Sequence, residues 1–458
     1  MSAQQDPGTT AGQRPVVAFE EAALERLAAA VAAVDVDEAP RLPGGFAAGA
    51  QAAGIKPSGR PDLSVVLVTT PAPASAAGTF TSNRVQAAPV RLSRAHLAAT
   101  GGSSADGVPA HGTARAVVVT AGSANAATGP AGDADQLAIA GLLASAAGCA
   151  VEQTLHASTG LIGTRLPVDR VAAGIASLVP VGLAATDAAL GAVARAMMTT
   201  DNRLKAASAL VALPAPGGTR QVRVSGVVKG VGMIHPGMAT MIALVLTDAS
   251  VAPRTLATLL RPAVALTFDQ LTVDGDMSTN DTVLALASGA AGADPIEPGT
   301  PAAAALGTAI AAVCRSLARQ QAADGEGATC RITCRVTGAA DLADARAVSR
   351  AVVRSSLFKA AVHGRDPNWG RVAAAAGSAR RPDGAPASVD PDSLRIALAG
   401  TPVFAGAPLA FDAASVSAAM EAPDVVVEVD LGMGRAGAEA WGCDLTEAYV
   451  RENAEYST

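Results

Sequence analysis

Segments of strand length and segments of helix length follow one another along this chain without strict alternation, and that mixture restricts the fold more than any other feature. Leu63–Thr69, Ala116–Thr120, Val222–Val228, Met241–Thr247, Arg331–Val336, Leu394–Leu398 and Val425–Leu431 read as strands. Longer Ala- and Leu-rich stretches at Asp133–Ala147, Ala185–Met198, Pro301–Gln321 and Asp341–Ala361 read as helices, with a shorter one in Phe19–Val34. A doubly wound parallel sheet needs regular βαβ units, so the pattern predicts an α+β layered fold instead. Gly217, Gly218 and the Gly289–Pro301 stretch read as turns or loops. No internal repeat is evident.

Such layers must be packed with small side chains. Half of the 458 residues are hydrophobic but only 2% are aromatic, so Ala, Val and Leu fill the core. The length suggests two or three units at about 150 residues each. A charged fraction of 16% belongs to a globular chain. The net charge of −6 gives no basic footprint for nucleic acid or an anionic membrane. Met1–Pro15 has no apolar signal segment, and Asp187 and Arg195 interrupt the apolar stretch Val181–Met198. The expectation is a cytoplasmic protein whose polar tail, Met1–Gln13, is disordered and dispensable. The continuous folded pattern begins near Leu42.

Five scattered cysteines, Cys149, Cys314, Cys330, Cys334 and Cys443, are expected to be free thiols. Cys330 and Cys334 share a strand face, but a metal site would need two more ligands. No metal is expected. Gly432-Met-Gly434-Arg-Ala-Gly437 matches a dinucleotide fingerprint, yet the stretch from there to Thr458 leaves no room for the rest of the unit; a glycine-rich hairpin turn is expected. Gly49-Ala-Gln-Ala-Ala-Gly54 resembles a phosphate loop but has Ile55 where Lys is required.

The chemically informative stretch is Lys229-Gly-Val-Gly-Met-Ile-His-Pro-Gly-Met-Ala-Thr240-Met-Ile-Ala-Leu-Val-Leu-Thr-Asp248. Gly230, Gly232, Pro236 and Gly237 make an irregular loop, and Thr240 stands where an apolar strand begins. A hydroxyl there can attack the preceding carbonyl. An N→O acyl shift and hydrolysis would then leave Thr240 with a free α-amine. With an unperturbed pKa of about 7.7–8.0, that amine is a base beside its own hydroxyl at neutral pH. Read without further context, a Thr after a loop at a strand start is usually structural.

This segment resembles the cleavage region of the ornithine acetyltransferases, the bifunctional glutamate N-acetyltransferases, whose pattern is close to KGxGMIxPxMATMLxFxxTDA. Further stretches match in the same order. They include Gly54–Leu63, Ala124–Gly129, Ser158–Gly163, Met198–Lys205, Val273–Thr282, Asp324–Ala328, His363–Arg371, Gly442–Glu447 and Asn453–Thr458. The resemblance spans about residues 42–458. It implies a four-layer αββα sandwich, self-processed between Ala239 and Thr240. The parts would be an N-terminal extension (1–41), an α chain (42–239) and a β chain (240–458), assembling as an α2β2 heterotetramer.

By resemblance, Thr240 is nucleophile for both self-cleavage and acetyl transfer, and Thr128 with Gly129 forms the oxyanion hole. Thr159, Lys205, Thr240, Glu326, Asn453 and Thr458 are implied as substrate contacts. Lys205 is assigned here to the substrate α-carboxylate and Glu326 to its ammonium. The implied reaction is a ping-pong transfer from N2-acetylornithine to glutamate within cyclic arginine biosynthesis. No cofactor is implied, although some family members take acetyl-CoA as donor. His363 is expected to be structural, because the Thr240 amine already serves as base. Gly237, Leu204 and Ser457 depart from the family pattern, which bears on cleavage rate and substrate preference. The alternatives are a self-processing amidohydrolase or aminopeptidase, an unprocessed scaffold, and a paralogue acting on another N-acetyl amino acid in specialised metabolism.

Overall fold

The computed structural model describes residues 21–101, 108, 110–215, 217–235, 241–292 and 294–455. The tail Met1–Gln13, the Ala239–Thr240 junction, Gly237, Ser457 and Thr458 lie outside the described residues. Three sheets organise the rest. The first has the order β1 (Phe46–Gln51), β2 (Leu63–Val68), β5 (Ala116–Ser123) and β6 (Thr154–Leu161), with only β5 and β6 parallel. The second runs β4 (Ala110–Ala114), β3 (Ala74–Phe80), β10 (Thr282–Ala287), β9 (Ile242–Thr247), β8 (Gly218–Lys229) and β7 (Lys205–Ala215), with β10 and β9 parallel. The third runs β13 (Thr401–Ala405), β12 (Arg395–Leu398), β14 (Asp424–Asp430), β11 (Arg331–Ala339) and β15 (Ala436–Cys443).

The first two sheets pack face to face. Val66, Val117 and Leu155 from one share a core with Ile242, Leu244 and Leu284 from the other. The period-two alternation of each strand sends the intervening residues outward. On the first sheet these are Leu63, Val65 and Val118, covered by α3 (Gly129–Ala147) and α4 (Val168–Leu178) through Ile139, Leu143, Val171 and Ile175. On the second they include Val224, Val245 and Val283, covered by α6 (Pro253–Leu266) and α7 (Pro301–Ala323) through Leu260, Ile310 and Leu317. Each fully buried Val or Leu contributes roughly 1.5–3 kcal/mol. By length and composition α7 could cross a membrane, but here it is a core helix with Leu306, Ile310 and Val313 buried.

Smaller helices close the rims. α1 (Glu21–Val31) adds Val31 to the core under α7, while α2 (Ala88–Gly101) and α5 (Asp187–Met197) bring Leu97 and Val193 to the core between the sheets. The third sheet packs against α8 (Leu342–Arg354), α9 (Ser356–His363), α10 (Trp369–Gly377) and α11 (Ala413–Ala419) through Val352, Phe358, Val372 and Val416. α12 (Glu447–Glu455) follows β15.

Two expectations are corrected. The helix read over Asp341–Ala361 is two helices, α8 and α9, because Ser355 breaks the run and its hydroxyl accepts from the Phe358 amide. The Gly432–Gly437 stretch is not a hairpin turn, since β14 and β15 lie on opposite sides of β11. It wraps the end of β11, with the Met433 and Gly434 amides donating to the Gly338 carbonyl. The five cysteines are free. Burial pushes the thiols of Cys314 and Cys330 up to about 12, so they are poor nucleophiles.

Candidate active site

The register of β7 and β8 decides which lysine can serve a site between the first two sheets. Lys205 pairs with Val228, so the two side chains share a face. Val228 belongs to the core under α7, and Val227 to the core between the sheets. Lys229, next in the alternation, therefore points towards the first sheet, and Lys205 points away from it. Lys229 lies 2% exposed, with Nζ donating to Thr159 Oγ1 at 3.2 Å. Thr159 is near the end of β6, across the inter-sheet space.

Lys229 and Thr159 line a cavity of about 130 Å³, together with Met233, Asp274, Glu326 and Asn453. That is well below the roughly 300–1,000 Å³ of sites for drug-sized ligands and suits one small polar molecule. Glu326 brings the opposite charge to the same cavity. Its Oε1 accepts from Thr200 Oγ1 at 2.8 Å and its Oε2 from Asn453 Nδ2 at 3.0 Å, which docks α12 onto the loop after α7. Gly232 permits the approach of this carboxylate, because a Cβ there would lie 2.3 Å from Glu326 Oε2.

Burial pulls the Lys229 ammonium below its ordinary range, opposed by attraction to Asp201, Glu326 and Asp281. The ammonium donates to a neutral hydroxyl, and among the described residues no carboxylate is within ion-pair distance of it. A buried ammonium placed in this way can take an incoming carboxylate as its direct partner.

Two acids of the stretch before β10, half-buried Asp274 and buried Asp281, hold the backbone at Met233–Ile234 and at Met241. Asp274 accepts from the amides of Met233 and Ile234. Asp281 accepts from the Met241 amide at 3.0 Å, and its other oxygen has no hydrogen-bond partner among the described residues. Burial raises both carboxyls, that of Asp281 strongly. Between them Asn280 donates to the carbonyls of Ala124 and Ser158, at 2.7 Å each, tying the Ala124–Gly129 loop to β6.

In that loop Asn125, Ala127 and Gly129 take positive φ (47°, 55° and 62°), a conformation that the first two, as non-glycine residues, rarely adopt. Thr128 Oγ1 donates to Asn125 Oδ1 at 2.8 Å, and Thr128 with Gly129 opens α3. Ala124, not Thr128 or Gly129, lines the cavity itself.

The structure thus gathers Thr159, Glu326 and Asn453, and adds Lys229, which sequence reasoning passed over. Lys205 is a correction. Its side chain is 1% exposed and its Nζ is engaged by Asp201 (2.8 Å), Asp324 (2.5 Å) and the Arg203 carbonyl (3.2 Å), so no proton is left for a substrate carboxylate. His363 stands apart from the cavity, between Asp444 and Glu447 at 3.2 Å each, and bridges α9 to the start of α12. Among the described residues no group of three or more His, Cys, Asp or Glu is placed to hold a metal.

A family model described as the ArgJ family matches residues 47–458. The arginine biosynthesis bifunctional protein ArgJ of Thermus thermophilus is 45% identical over 420 residues, covering 92% of this chain and 100% of that one. The chain belongs to the ArgJ family. The protein of the same name from Deinococcus radiodurans is also 45% identical, over 91% of this chain and 98% of its own. The crystal structure of ornithine acetyltransferase complexed with ornithine from Mycobacterium tuberculosis is 36% identical, with a TM-score of 0.37, and covers 44% of this chain and 98% of that one. The ArgJ match begins at residue 47, close to the Leu42 at which the sequence pattern turns globular.

Proposed function

We propose that this ArgJ-family chain is a glutamate N-acetyltransferase and ornithine acetyltransferase that cuts itself before Thr240. The observation that carries the reading is that Lys229 and Glu326 bring opposite charges to the lining of one small cavity, each hydrogen-bonded to a further lining residue, Thr159 and Asn453. N2-acetylornithine carries a carboxylate and a distal ammonium, the complement of those charges. Thr458 and Thr240 complete the substrate contacts in this reading.

In self-cleavage the Thr240 Oγ attacks the Ala239 carbonyl carbon, the C–N bond breaks as the ester forms, and water releases the Ala239 carboxylate. The Thr240 nitrogen is left as a free amine. In turnover that amine takes the Oγ proton while Oγ attacks the acetyl carbonyl. The tetrahedral oxyanion is held by the Gly129 N–H and by the Thr128 hydroxyl, which turns from Asn125 Oδ1 to donate to it. Collapse breaks the bond to the ornithine α-nitrogen, which takes the proton from the Thr240 amine. The α-amine of glutamate then attacks acetyl-Thr240 and leaves as N-acetylglutamate. No cofactor takes part, and acetyl-CoA enters only as an alternative donor.

The succession of α3 and α4, first sheet, second sheet, and α6 and α7 supports a four-layer αββα sandwich. On this reading fragments 1–239 and 240–458 stay together and pair as an α2β2 heterotetramer in the cytoplasm. The test is a half-reaction. With N2-acetylornithine alone, the 240–458 fragment should gain one acetyl group and release ornithine, and later glutamate should collect that group. Release of free acetate without transfer would favour the amidohydrolase alternative; transfer only from another N-acetyl amino acid would favour a specialised paralogue.

A further inference from the structure

Lys205 touches no substrate-facing surface, yet both charges of the cavity hang from its ammonium. On one side Asp201 Oδ1, 2.8 Å from Lys205 Nζ, also accepts from the Gly230 amide at 2.8 Å, and Gly230 follows Lys229 in the chain. The other oxygen of Asp201 accepts from Thr199 N at 3.0 Å and so fixes the turn that carries Thr200, the partner of Glu326. On the other side Asp324 Oδ2 lies 2.5 Å from Lys205 Nζ and accepts from the amides of Asn202 and Arg203. Asp324 stands two residues before Glu326, whose own amide donates to Val231 O at 2.9 Å. The side chains of Lys205, Asp201 and Asp324 are at most 2% exposed.

We propose that Lys205 is the specificity-determining positioning residue of this site: through Asp201 and Asp324 it fixes the separation of Lys229 and Glu326, and so selects the length of the diamino-acid donor. The proposal rests on reading the cavity as the N2-acetylornithine site. Burial alone would raise the Asp201 carboxyl, but Lys229 and Lys205 hold it below the usual range, so the bridge is ionised. An ion triad buried this completely resists spreading, because parting its members strands charge out of water. A donor one methylene shorter or longer then meets only one of the two charges at a time. A shift on the order of 1 Å at a positioning group costs up to about a hundredfold in rate.

The experiment compares kcat/KM for N2-acetyl-2,4-diaminobutyrate, N2-acetylornithine and N2-acetyllysine, with glutamate as acceptor, in the full-length processed protein. Wild type should favour acetylornithine. Lys205→Met should lose at least about tenfold of that preference, with the outlying donors losing less than acetylornithine. The triple variant Lys205→Met/Asp201→Asn/Asp324→Asn removes the three charges of the triad together, leaving Lys229 to the attraction of Glu326 and Asp281, and is read in the same way if the single variant does not fold. Asp324→Asn alone should move the ratio in the same direction by less. An equal fall for all three donors, or an unchanged ratio in Asp324→Asn, would overturn the role of Lys205. A wild type that uses none of the three donors overturns the acetylornithine reading beneath it.

Discussion

The Lys229 ammonium donates to the Thr159 hydroxyl at 3.2 Å, joining the end of β8 to the end of β6 across the space between two sheets. A carboxylate bound there would gain a charge-assisted hydrogen bond worth roughly 1.5–3 kcal/mol. Lys229→Met should therefore lower kcat/KM for every carboxylate-bearing donor by about ten- to a hundredfold, mostly through KM. Self-cleavage, which needs no substrate, should be slowed far less. Equal damage to both steps would show that Lys229 is structural.

The same lysine gives a pH signature. Burial lowers its pKa, against the pull of Asp201 and Glu326, and only the ammonium attracts a carboxylate. The KM for N2-acetylornithine should climb as pH rises through the alkaline range, beginning below the pH at which a free lysine loses its proton. Lys229→Arg stays charged and should flatten that climb. A flat wild-type KM to the pKa of free lysine would contradict the assignment. The effect is separable from kcat, which should rise with pH as the Thr240 amine deprotonates.

Asp281 accepts from the amide that joins Thr240 to Met241, and it is fully buried. Burial raises its pKa, opposed by the Met241 amide and the nearby Lys229. Asp281→Asn keeps an acceptor for Met241 and should still be cut at near the wild-type rate. Asp281→Ala should slow cutting by about tenfold or more, since a buried amide left unpaired costs about 1–3 kcal/mol. Fragment yield against time distinguishes them, and a defective Asn variant would mean that the carboxyl does more than hold the backbone.

Gly160 tests the packing that brings β5 and β6 together. Its φ is +121°, and a Cβ would lie 2.4 Å from the Gly122 carbonyl carbon. Gly160→Ala should destabilise by about 1–3 kcal/mol, read as a lowered Tm. An unchanged Tm would show that the crossing is looser than described.

Strands rich in branched residues, such as Leu63–Thr69 and Val222–Val228, were legible because alternation and β-propensity agree in them. β1 and β4, with the sequences FAAGAQ and AHGTA, carry almost no such side chains and owe their pairing to neighbours in the sheet. The break at Ser355 was hidden because apolar spacing runs on through it. The choice of Lys205 over Lys229 failed for a different reason. Both stand beside glycine-rich or polar loops, and only the pairing of Lys205 with Val228 reveals that they face opposite ways. Glu326, Thr159 and Asn453 were found by resemblance, since nothing in their local spacing joins three residues so far apart in the chain.

In the proposed mechanism one oxygen, Thr240 Oγ, makes both the cut and the acetyl-enzyme. The most direct measurement is N-terminal sequencing of the purified protein's fragments alongside Thr240→Ala and Thr240→Ser. Wild type should give two fragments, the second reading Thr-Met-Ile-Ala-Leu. Thr240→Ser should cut more slowly, because it keeps the hydroxyl and loses the β-methyl that restricts χ1. Thr240→Ala should remain a single chain without transferase activity. A different second N-terminus, or full transfer by an uncut chain, would contradict the account.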